Sequence, residues 1–456
     1  MALDVLVTVE ERAAYANLAL GHALERAVLS PAERGLATEL VYGVCRRRLT
    51  LDWVLGQLTR EPVERMQAWV RNLLRLSLYQ LLYLSRIRPE AACDEAVEIA
   101  KRRGHRGIAG LVNAVLRAYL RRQAEVTWPD PERERVRWLA VRESHPAWLV
   151  ERWVVRLGPD EAAALLAADN LPPPVSLRVN RRRTSREEVL AALAARGIRA
   201  EASHWAPEGV VLRSAGGAVE RLPEVAEGLT QVQDEASMLI AHLVGPRPGE
   251  RILDAASAPG GKTTHLAELM GDHGEVRALD VHPAKLGLVE ANAARLGLSC
   301  IRTQVANALE LEGTEGFRAA FDRVLLDAPC TGLGVLRRRP DARWRKAPED
   351  VEALGEQQRR MLASVAAAVR PGGRLVYSTC STEAEEGEQV VEDFLARQGG
   401  RFRLLPAREV LKAAGVPAAE EGSAFPGPYL RLWPHRHGTD GFFAACLERL
   451  EDDNAR

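Results

Sequence analysis

The sequence predicts a multidomain protein with an all-α N-terminal domain, a small α+β segment and a Rossmann-like α/β domain. Through residues 1–140, apolar side chains recur at three- and four-residue spacing, and no convincing strand interrupts them. The pattern changes at Val175–Asn180, where apolar and polar residues alternate as in a strand. Beyond residue 233, short apolar runs alternate with helical segments, which indicates a doubly wound sheet. The predicted domains are therefore residues 1–140, 141–232 and 233–450.

The N-terminal helices are predicted from apolar periodicity and from local start signals. Ser30-Pro31-Ala32-Glu33, for example, combines a capping residue, a proline in the first turn and an acid. The predicted helices are Arg12–Val28, Ala32–Tyr42, Leu51–Leu58, Val63–Leu84, Ala91–Lys101 and Ile108–Leu120.

The strands of the two following segments are predicted from short runs bounded by turn residues. In the middle segment, Val175–Asn180 precedes a helix that Thr184–Glu188 caps and that reaches Arg196. In the last segment, the final two strands are predicted to form an antiparallel hairpin. The strands predicted there are Arg251–Ala255, Val276–Asp280, Ile301–Val305, Phe321–Leu326, Arg374–Tyr377, Phe402–Leu405 and Phe442–Leu447.

The composition is that of an ordinary globular protein. The 456 residues hold 62 basic and 62 acidic side chains, so the whole molecule has no general attraction to polyanions. The six cysteines show no zinc-type spacing or disulfide framework, and we expect no metal. Residues 1–20 lack a signal pattern, and no apolar stretch is long enough to span a membrane. A monomer in a reducing cytoplasm is expected.

Two cysteines occupy matching positions in the C-terminal segment. Cys330, in Asp-Ala-Pro-Cys-Thr-Gly, and Cys380, in Tyr-Ser-Thr-Cys-Ser, each follow an apolar run that predicts a buried parallel strand. Side chains at the carboxyl ends of such strands face the cleft where open α/β sheets bind ligands. A single cysteine in this position would be interpreted as a small buried hydrophobe. Two cysteines in matched contexts predict covalent chemistry.

A glycine-rich turn at residues 252–265 joins a predicted strand to a predicted helix. Its Gly260–Thr263 segment resembles a phosphate-binding loop, but the glycine that this motif requires five residues before Gly261 is Ala256. Asp280 ends the next predicted strand, where a carboxylate can accept both hydroxyls of a cofactor ribose. The turn also lacks the Gly-x-Gly-x-x-Gly of a nicotinamide enzyme. Together the turn and Asp280 favour ribose binding over a triphosphatase or a dehydrogenase.

The order of these motifs resembles that of the RNA cytosine-5 methyltransferases of the Sun/RsmB family. The matching segments are Asp254–His265, Asp280, Asp327–Gly332, Ser378–Ser381 and Gly438–Phe443. The helical N-terminal domain resembles the NusB RNA-binding fold, notably in Leu74–Leu84, Asp94–Val97 and Leu111–Leu116. Together the resemblances cover almost the whole chain, and the paired Asp-Ala-Pro-Cys and Thr-Cys-Ser motifs are highly specific. They imply methylation of carbon 5 of a cytosine in small-subunit (16S) rRNA.

The resemblance also implies roles for individual residues. Cys380 is implied as the nucleophile and Cys330 as the residue that assists product release, although DNA cytosine methyltransferases use the Pro-Cys cysteine as nucleophile. Asp327 is our candidate for neutralising charge on the pyrimidine. The implied cofactor is S-adenosylmethionine, and Asn307 stands where the family usually has an aspartate. The residues expected to hold the cofactor are Ala256, Ser257, Ala258, Pro259, Gly260, Gly261, Lys262, Asp280, Asn307 and Asp327.

Basic residues after Cys330 predict a loop that faces RNA. Residues 337–346 hold six basic side chains and one acid, and Trp344 could stack on a base. The target cytosine must leave its stack to reach a thiol, so a flipped or unpaired base is expected. The predicted RNA contacts are Arg178, Arg337, Arg338, Arg339, Arg343 and Lys346.

Two other functions share features with this sequence. A non-catalytic RNA-binding or antitermination factor would keep the NusB-like front and carry a degenerate C-terminal half, but both cysteines and both aspartates are intact. An amino-group methyltransferase would carry Asn/Asp-Pro-Pro-Tyr after the fourth strand, where Asp327–Cys330 stands instead. Cofactor binding distinguishes the first alternative from an enzyme.

Overall fold

A computed structural model describes residues 1–213 and 219–451. The chain divides into two compact units, Met1–Pro172 with Leu336–Lys346, and Pro173–Val335 with Ala347–Arg456. The domain boundary predicted at residue 140 therefore falls inside the first unit. None of the helices within the described ranges combines the length and the apolar character that crossing a bilayer requires.

The first unit is helical, as predicted. Its first six helices pack around an apolar core in which Leu51, Leu55, Leu73 and Leu74 are fully buried. The helices are α1 (Ala2–Glu11), α2 (Ala16–Arg26), α3 (Pro31–Gly56), α4 (Ala68–Tyr83), α5 (Pro89–Arg103), α6 (Arg106–Arg122), α7 (Arg135–Glu143), α8 (Ala147–Leu157) and α9 (Pro159–Ala168).

Three features of these helices differ from the prediction, one of which is that α7, α8 and α9 correspond to none of the six predicted helices. The predicted helices Ala32–Tyr42 and Leu51–Leu58 are parts of one helix, α3, which departs from helical geometry at Arg47 with φ −105° and ψ 16°. The arginines of α3 interrupt its apolar periodicity, which is why the sequence predicts two helices. Because arginine has a high helix propensity, the helix continues through them. Helix α1 has no predicted counterpart, because β-branched residues such as Val5 and Val7 weaken the helical signal.

The first unit also contains residues 336–346, the segment predicted to face RNA. Arg343 is fully buried, and its guanidinium donates to the Ser144 carbonyl oxygen at 3.0 Å and to Asn170 Oδ1 at 2.9 Å. The Trp344 indole N–H donates to a main-chain carbonyl oxygen of α3 at 2.8 Å. The predicted RNA contact at Arg343 is therefore corrected to a structural role, because a guanidinium without exposed surface cannot reach a phosphate.

The second unit begins with a four-stranded antiparallel sheet of order β2-β3-β1-β4. Helix α10 (Arg186–Ala195) begins at a capping box in which Ser185 and Glu188 exchange hydrogen bonds, as the sequence predicts. Leu177 and Val179 of the first strand lie in the small apolar core of this sheet. The strands are β1 (Val175–Val179), β2 (Ala200–Ala202), β3 (Gly209–Leu212) and β4 (Thr230–Val232), and a short helix α11 (Pro223–Ala226) precedes β4.

An eight-stranded sheet forms the rest of the second unit. Its strands are β5 (Arg251–Asp254), β6 (Glu275–Asp280), β7 (Ile301–Val305), β8 (Phe321–Asp327), β9 (Val369–Thr379), β10 (Phe402–Leu405), β11 (Leu430–Leu432) and β12 (Phe442–Arg449). The order is β10-β12-β9-β8-β5-β6-β7, with β11 paired to β12. Strands β5 to β9 pair in parallel, whereas β12 pairs antiparallel with β9, β10 and β11. The predicted doubly wound sheet is confirmed. The two strands predicted as a final hairpin, β10 and β12, do pair antiparallel, but the unpredicted β11 lies between them in sequence, so they do not form a hairpin.

Side chains that alternate along the strands bury both faces of this sheet. On β8, Leu325 belongs to the apolar cluster on one face, whereas Val324 and Leu326 belong to the cluster on the other. The edge of the sheet at the carboxyl ends of the parallel strands therefore stays open to ligands. The helices of this region are α12 (Glu235–Val244), α13 (Gly261–Leu269), α14 (Pro283–Leu296), α15 (Pro348–Ala366), α16 (Glu388–Arg397), α17 (Ala407–Ala413) and α18 (Pro434–His437).

Replacing Arg343, a fully buried arginine of the first unit, is expected to destabilise that unit. Arg343→Ala should lower the free energy of unfolding by about 3 kcal/mol, because it leaves buried carbonyl oxygens without a donor. Urea titration followed by circular dichroism measures the change. The exposed Arg339 of the same segment provides the control, and Arg339→Ala should stay within about 0.5 kcal/mol of the wild type. Equal stability of the two variants would contradict the structural role of Arg343.

Candidate active site

The two cysteines with matching sequence contexts lie side by side at the carboxyl edge of the large sheet. Strands β8 and β9 are neighbours, with Asp327 opposite Ser378 in parallel register, and each cysteine follows its strand. The Sγ atoms of Cys330 and Cys380 are 3.3 Å apart, and both residues are partly exposed. The remaining cysteines are buried. We refer to Cys330 and Cys380 as the thiol pair.

The two thiols differ in their electrostatic surroundings. The pKa of Cys330 is raised well above its usual range, first by its hydrogen bond with Cys380 and then by burial. Negative charge on Cys380 and on Glu386 raises this pKa further. At neutral pH, Cys330 therefore keeps its proton and can donate it to Cys380 Sγ.

An ion pair joins the glycine loop to the segment that carries Cys330. Lys262 Nζ lies 2.7 Å from Asp327 Oδ2, and Ser378 Oγ donates to Asp327 Oδ1 at 2.8 Å. Burial alone would lower the pKa of the Lys262 ammonium, but attraction to the Asp327 carboxylate raises it above its usual value. Lys262, expected to hold the cofactor, thus reaches the carboxylate that is expected to act on the base.

The glycine loop is fixed by contacts with its neighbours. The main-chain N–H and the hydroxyl of Ser257 both donate to the Leu279 carbonyl oxygen, at 2.8 and 3.0 Å. Gly260 has φ of 100°, and a Cβ there would lie 3.0 Å from Val289 Cα. Helix α13 begins at Gly261 without a side-chain cap, so N–H groups at its start are available to a ligand. The other expected cofactor residues of this loop are Ala256, Ala258 and Pro259.

Asp280 and Asn307 lie at the ends of the two strands beyond the glycine loop. Asp280 Oδ1 accepts from the His282 main-chain N–H at 2.8 Å, which leaves its other oxygen for a ligand hydroxyl. Asn307 is engaged in its own turn: Oδ1 accepts from the Leu309 N–H at 3.1 Å, and Nδ2 donates to Glu310 Oε1 at 2.7 Å. Any ligand contact from Asn307 would compete with these bonds.

Arg178, predicted to contact RNA, is buried against the start of α13. Its guanidinium donates to both carboxylate oxygens of Glu268, at 2.9 and 3.0 Å. It also donates to the Gly261 carbonyl oxygen at 2.6 Å and to Thr264 Oγ1 at 3.0 Å. A bond to Gln233 uses the last of its five N–H donors. The RNA contact predicted at Arg178 is therefore corrected: this arginine ties β1 to the glycine loop.

The other basic residues predicted to contact RNA differ in exposure. Arg337 is only 4% exposed, which corrects the prediction for its side chain. Arg339 is exposed, and Arg338 and Lys346 are partly exposed. These three residues remain predicted RNA contacts.

Glu386, which no sequence motif singled out, is fully buried behind the thiol pair. One carboxylate oxygen accepts from the Thr331 N–H at 2.7 Å, and the other accepts from the Ser381 hydroxyl at 2.5 Å. Thr331 directly follows Cys330 and Ser381 directly follows Cys380, so one carboxylate joins both cysteine segments. Its only signal in the sequence is an acid six residues after Cys380, in a stretch with other acids.

Glu208, His242 and His265 form a buried group within the second unit whose ligand atoms are close enough to share a metal ion. His242 Nε2 forms a hydrogen bond with Glu208 Oε2 at 3.0 Å, whereas His265 Nε2 lies 3.1 Å from Glu208 Oε1 without the geometry of a hydrogen bond. Burial lowers the pKa of His265 to about 4, so this ring is neutral at physiological pH. The group connects α12 and α13 to the loop before β3.

Three family profiles match successive parts of the chain. Residues 1–121 match the NusB family, residues 145–220 match the ferredoxin-like domain of RsmF/B-like methyltransferases, and residues 241–448 match the family described as 16S rRNA methyltransferase RsmB/F. A probable ribosomal RNA small subunit methyltransferase B of Bacillus subtilis is 39% identical over 449 residues, which cover 98% of each chain. The chain belongs to the RsmB/F family of 16S rRNA methyltransferases.

Other relatives of this RsmB/F-family enzyme extend over most of its length. The ribosomal RNA small subunit methyltransferase B of Pseudomonas putida is 38% identical, covering 92% of this chain and 91% of that relative. Among solved structures, PH0851 superposes with a TM-score of 0.81 at 29% identity, covering 98% of both chains. A methyltransferase homologue from Pyrococcus horikoshii gives 0.59 at 30% identity, covering 70% of this chain and 99% of that one. The protein is thus an rRNA methyltransferase with a NusB-like N-terminal domain.

The thiol pair is expected to oxidise readily to a disulfide. Its sulfur atoms are 3.3 Å apart, and diamide would take two electrons and two protons from the pair as the S–S bond forms. Oxidation should join the peptides that contain Cys330 and Cys380, as seen by non-reducing mass spectrometry, and should abolish methyl transfer. Dithiothreitol should restore activity. Persistence of two free thiols at these positions under excess diamide would contradict the observed separation.

Proposed function

We propose that this RsmB/F-family enzyme methylates carbon 5 of a cytosine in 16S rRNA through a covalent bond between Cys380 and the base. The observation that carries the proposal is a pair of partly exposed thiols 3.3 Å apart at the carboxyl edge of the sheet. Methylation of an amino group or a ribose hydroxyl needs no thiol nucleophile. Carbon 5, in contrast, becomes reactive only after a nucleophile adds to carbon 6.

The residues of the glycine loop fit S-adenosylmethionine, which would supply the methyl group. The uncapped start of α13 at Gly261 offers main-chain N–H groups to a carboxylate. Asp280 offers a carboxylate oxygen to ribose hydroxyls. The side chains of Ala256 and Ala258 are small enough to let a ligand approach the main chain.

The thiol pair and Asp327 account for the steps on the base. Cys380 Sγ bonds to carbon 6, and the displaced electron pair makes carbon 5 nucleophilic towards the methyl group. Asp327, oriented by Lys262 and Ser378, relays a proton from the Lys262 ammonium to ring nitrogen 3, which neutralises the negative charge that builds there. A water molecule then takes the carbon 5 proton, the carbon–sulfur bond breaks and its electron pair returns to Cys380. The proton on ring nitrogen 3 returns through Asp327 to Lys262. Cys330 assists this release from its position beside the Cys380 sulfur atom.

The rRNA reaches this site through a base that leaves its stack. We assign phosphate contacts to Arg338, Arg339 and Lys346, whose side chains are at least partly exposed. Each contact of this kind should add to the salt dependence of RNA binding rather than to sequence specificity.

Single cysteine substitutions are expected to separate the two roles. Cys380→Ala should abolish methyl transfer, because no thiolate remains to add to carbon 6. Cys330→Ala should accumulate a covalent RNA adduct, because release is slowed, and denaturing gels with labelled RNA reveal such an adduct. A trapped adduct with Cys380→Ala alone would reverse the assignment. Methyl transfer by a variant that lacks both thiols would rule out the covalent route.

Cofactor binding should depend more on Asp280 than on Asn307. Asp280→Ala is expected to weaken S-adenosylmethionine binding by about 10- to 100-fold, the range for a hydrogen bond to a charged group. Asn307→Ala should weaken it by less than about 3-fold, because the side chain bonds within its own turn. Isothermal titration measures both constants. Equal losses from the two substitutions would contradict the ribose contact assigned to Asp280.

A further inference from the structure

We propose that Glu386 is a positioning residue that fixes the thiol pair and gives its two members unequal roles. This inference rests on the proposed function, since the roles are those of the covalent mechanism. Glu386 lies in a short helical turn, Ala384–Glu386, after β9, and its side chain has no exposed surface. Glu386 does not contact the base; it acts by holding in place the segments that carry Cys330 and Cys380.

The Glu386 carboxylate collects four hydrogen bonds, three of which come from residues directly after the cysteines. The Thr331 N–H donates to Oε1 at 2.7 Å, and the Thr331 hydroxyl donates to Oε2. The Ser381 hydroxyl donates to Oε2 at 2.5 Å. The Gln358 side-chain amide donates to Oε1 at 3.2 Å. A shift of either cysteine segment would therefore break a bond to this buried acceptor.

A second set of contacts ties the chain before Cys330 to the same network. Gln358 Nε2 also donates to the Pro329 carbonyl oxygen at 2.8 Å, so Cys330 is held from both sides. The Tyr377 hydroxyl lies 2.8 Å from the Glu386 carbonyl oxygen and 3.0 Å from Gln358 Oε1. Buried networks in which each member has a partner are rigid, which suits the close approach of two sulfur atoms.

The charge of Glu386 gives the carboxylate an electrostatic effect beyond its geometry. Its partners among the described residues are all neutral donors, so no cation cancels its charge locally. Burial raises the pKa of Glu386, while the bonds from Ser381 and Thr331 oppose this rise. An ionised Glu386 raises the pKa of Cys330, which keeps a proton between the two sulfur atoms. Of the other titratable groups, Tyr377 interacts with Cys330 and Lys262 with Cys380, while Asp327 and Arg359 act on Tyr377.

The role proposed for Glu386 differs from a purely structural role in its effect on the titration of the thiols. A residue that only stabilises the fold changes the melting temperature and leaves the titration of the thiols unchanged. Removing the charge of Glu386 should instead lower the pH at which Cys330 becomes reactive, because a thiolate is no longer opposed by a neighbouring anion.

The first test measures thiol titration and needs neither RNA nor methyl transfer. In a Cys380→Ser background, Cys330 is the remaining thiol of the pair, and its alkylation by iodoacetamide is followed against pH by mass spectrometry. Adding Glu386→Gln should move the midpoint to lower pH by on the order of one unit. Glu392→Gln, the same charge change on the exposed side of α16, should leave the midpoint unchanged. An unchanged midpoint with Glu386→Gln would overturn the electrostatic role.

The second test measures single-turnover methyl transfer in the full-length enzyme with both cysteines. Glu386→Gln is expected to lower the rate on the order of 100-fold, while S-adenosylmethionine affinity stays within about twofold of the wild type. The matched Glu392→Gln should retain the wild-type rate. A rate for Glu386→Gln equal to that of this control would overturn the positioning role. Failure of the covalent mechanism itself would appear instead as activity in Cys380→Ala.

A further variant covers the case in which Glu386→Gln does not fold. Ser381→Ala removes one of the four donors and keeps the charge. It should lower the single-turnover rate about 10-fold, the value of one lost hydrogen bond to a charged group. A wild-type rate for Ser381→Ala would contradict the proposal.

Discussion

Parallel pairing of β8 with β9 is the constraint on which the site depends. Their register sets Asp327 opposite Ser378, so the segments that follow emerge together at one edge of the sheet. A slip of one residue would turn Asp327 to the opposite face and remove it from Lys262. The thiol pair and Glu386 follow the ends of these two strands, and the glycine loop follows β5, the other neighbour of β8.

Two carboxylates near the thiol pair have different surroundings and therefore different tasks. Asp327 is paired with the ammonium of Lys262 and remains partly exposed, which suits a group that meets a base. Glu386 is fully buried among neutral donors and holds the cysteine segments in place. The division follows the general rule that environment, rather than residue type, decides what an acid does.

The central strands and the cysteine positions could be predicted because they depend on local patterns. The predicted strands Arg251–Ala255 and Phe321–Leu326 differ from β5 and β8 by a single residue at one end, since a short apolar run between turn residues is a strong signal. The buried roles of Arg178 and Arg343 could not be predicted, because their partners are distant in sequence and a charge in isolation indicates solvent. Glu386 was missed for the same reason.

The central claim is that Cys380 forms a bond to the target cytosine. Incubating the wild-type enzyme and S-adenosylmethionine with 16S rRNA that contains 5-fluorocytidine tests it, because fluorine at carbon 5 cannot leave as a proton does. After nuclease and trypsin digestion, mass spectrometry should find the methylated nucleotide on the peptide Leu375–Arg397, which carries Cys380. Its presence on Val324–Arg337, which carries Cys330, or the absence of any adduct, would contradict the account.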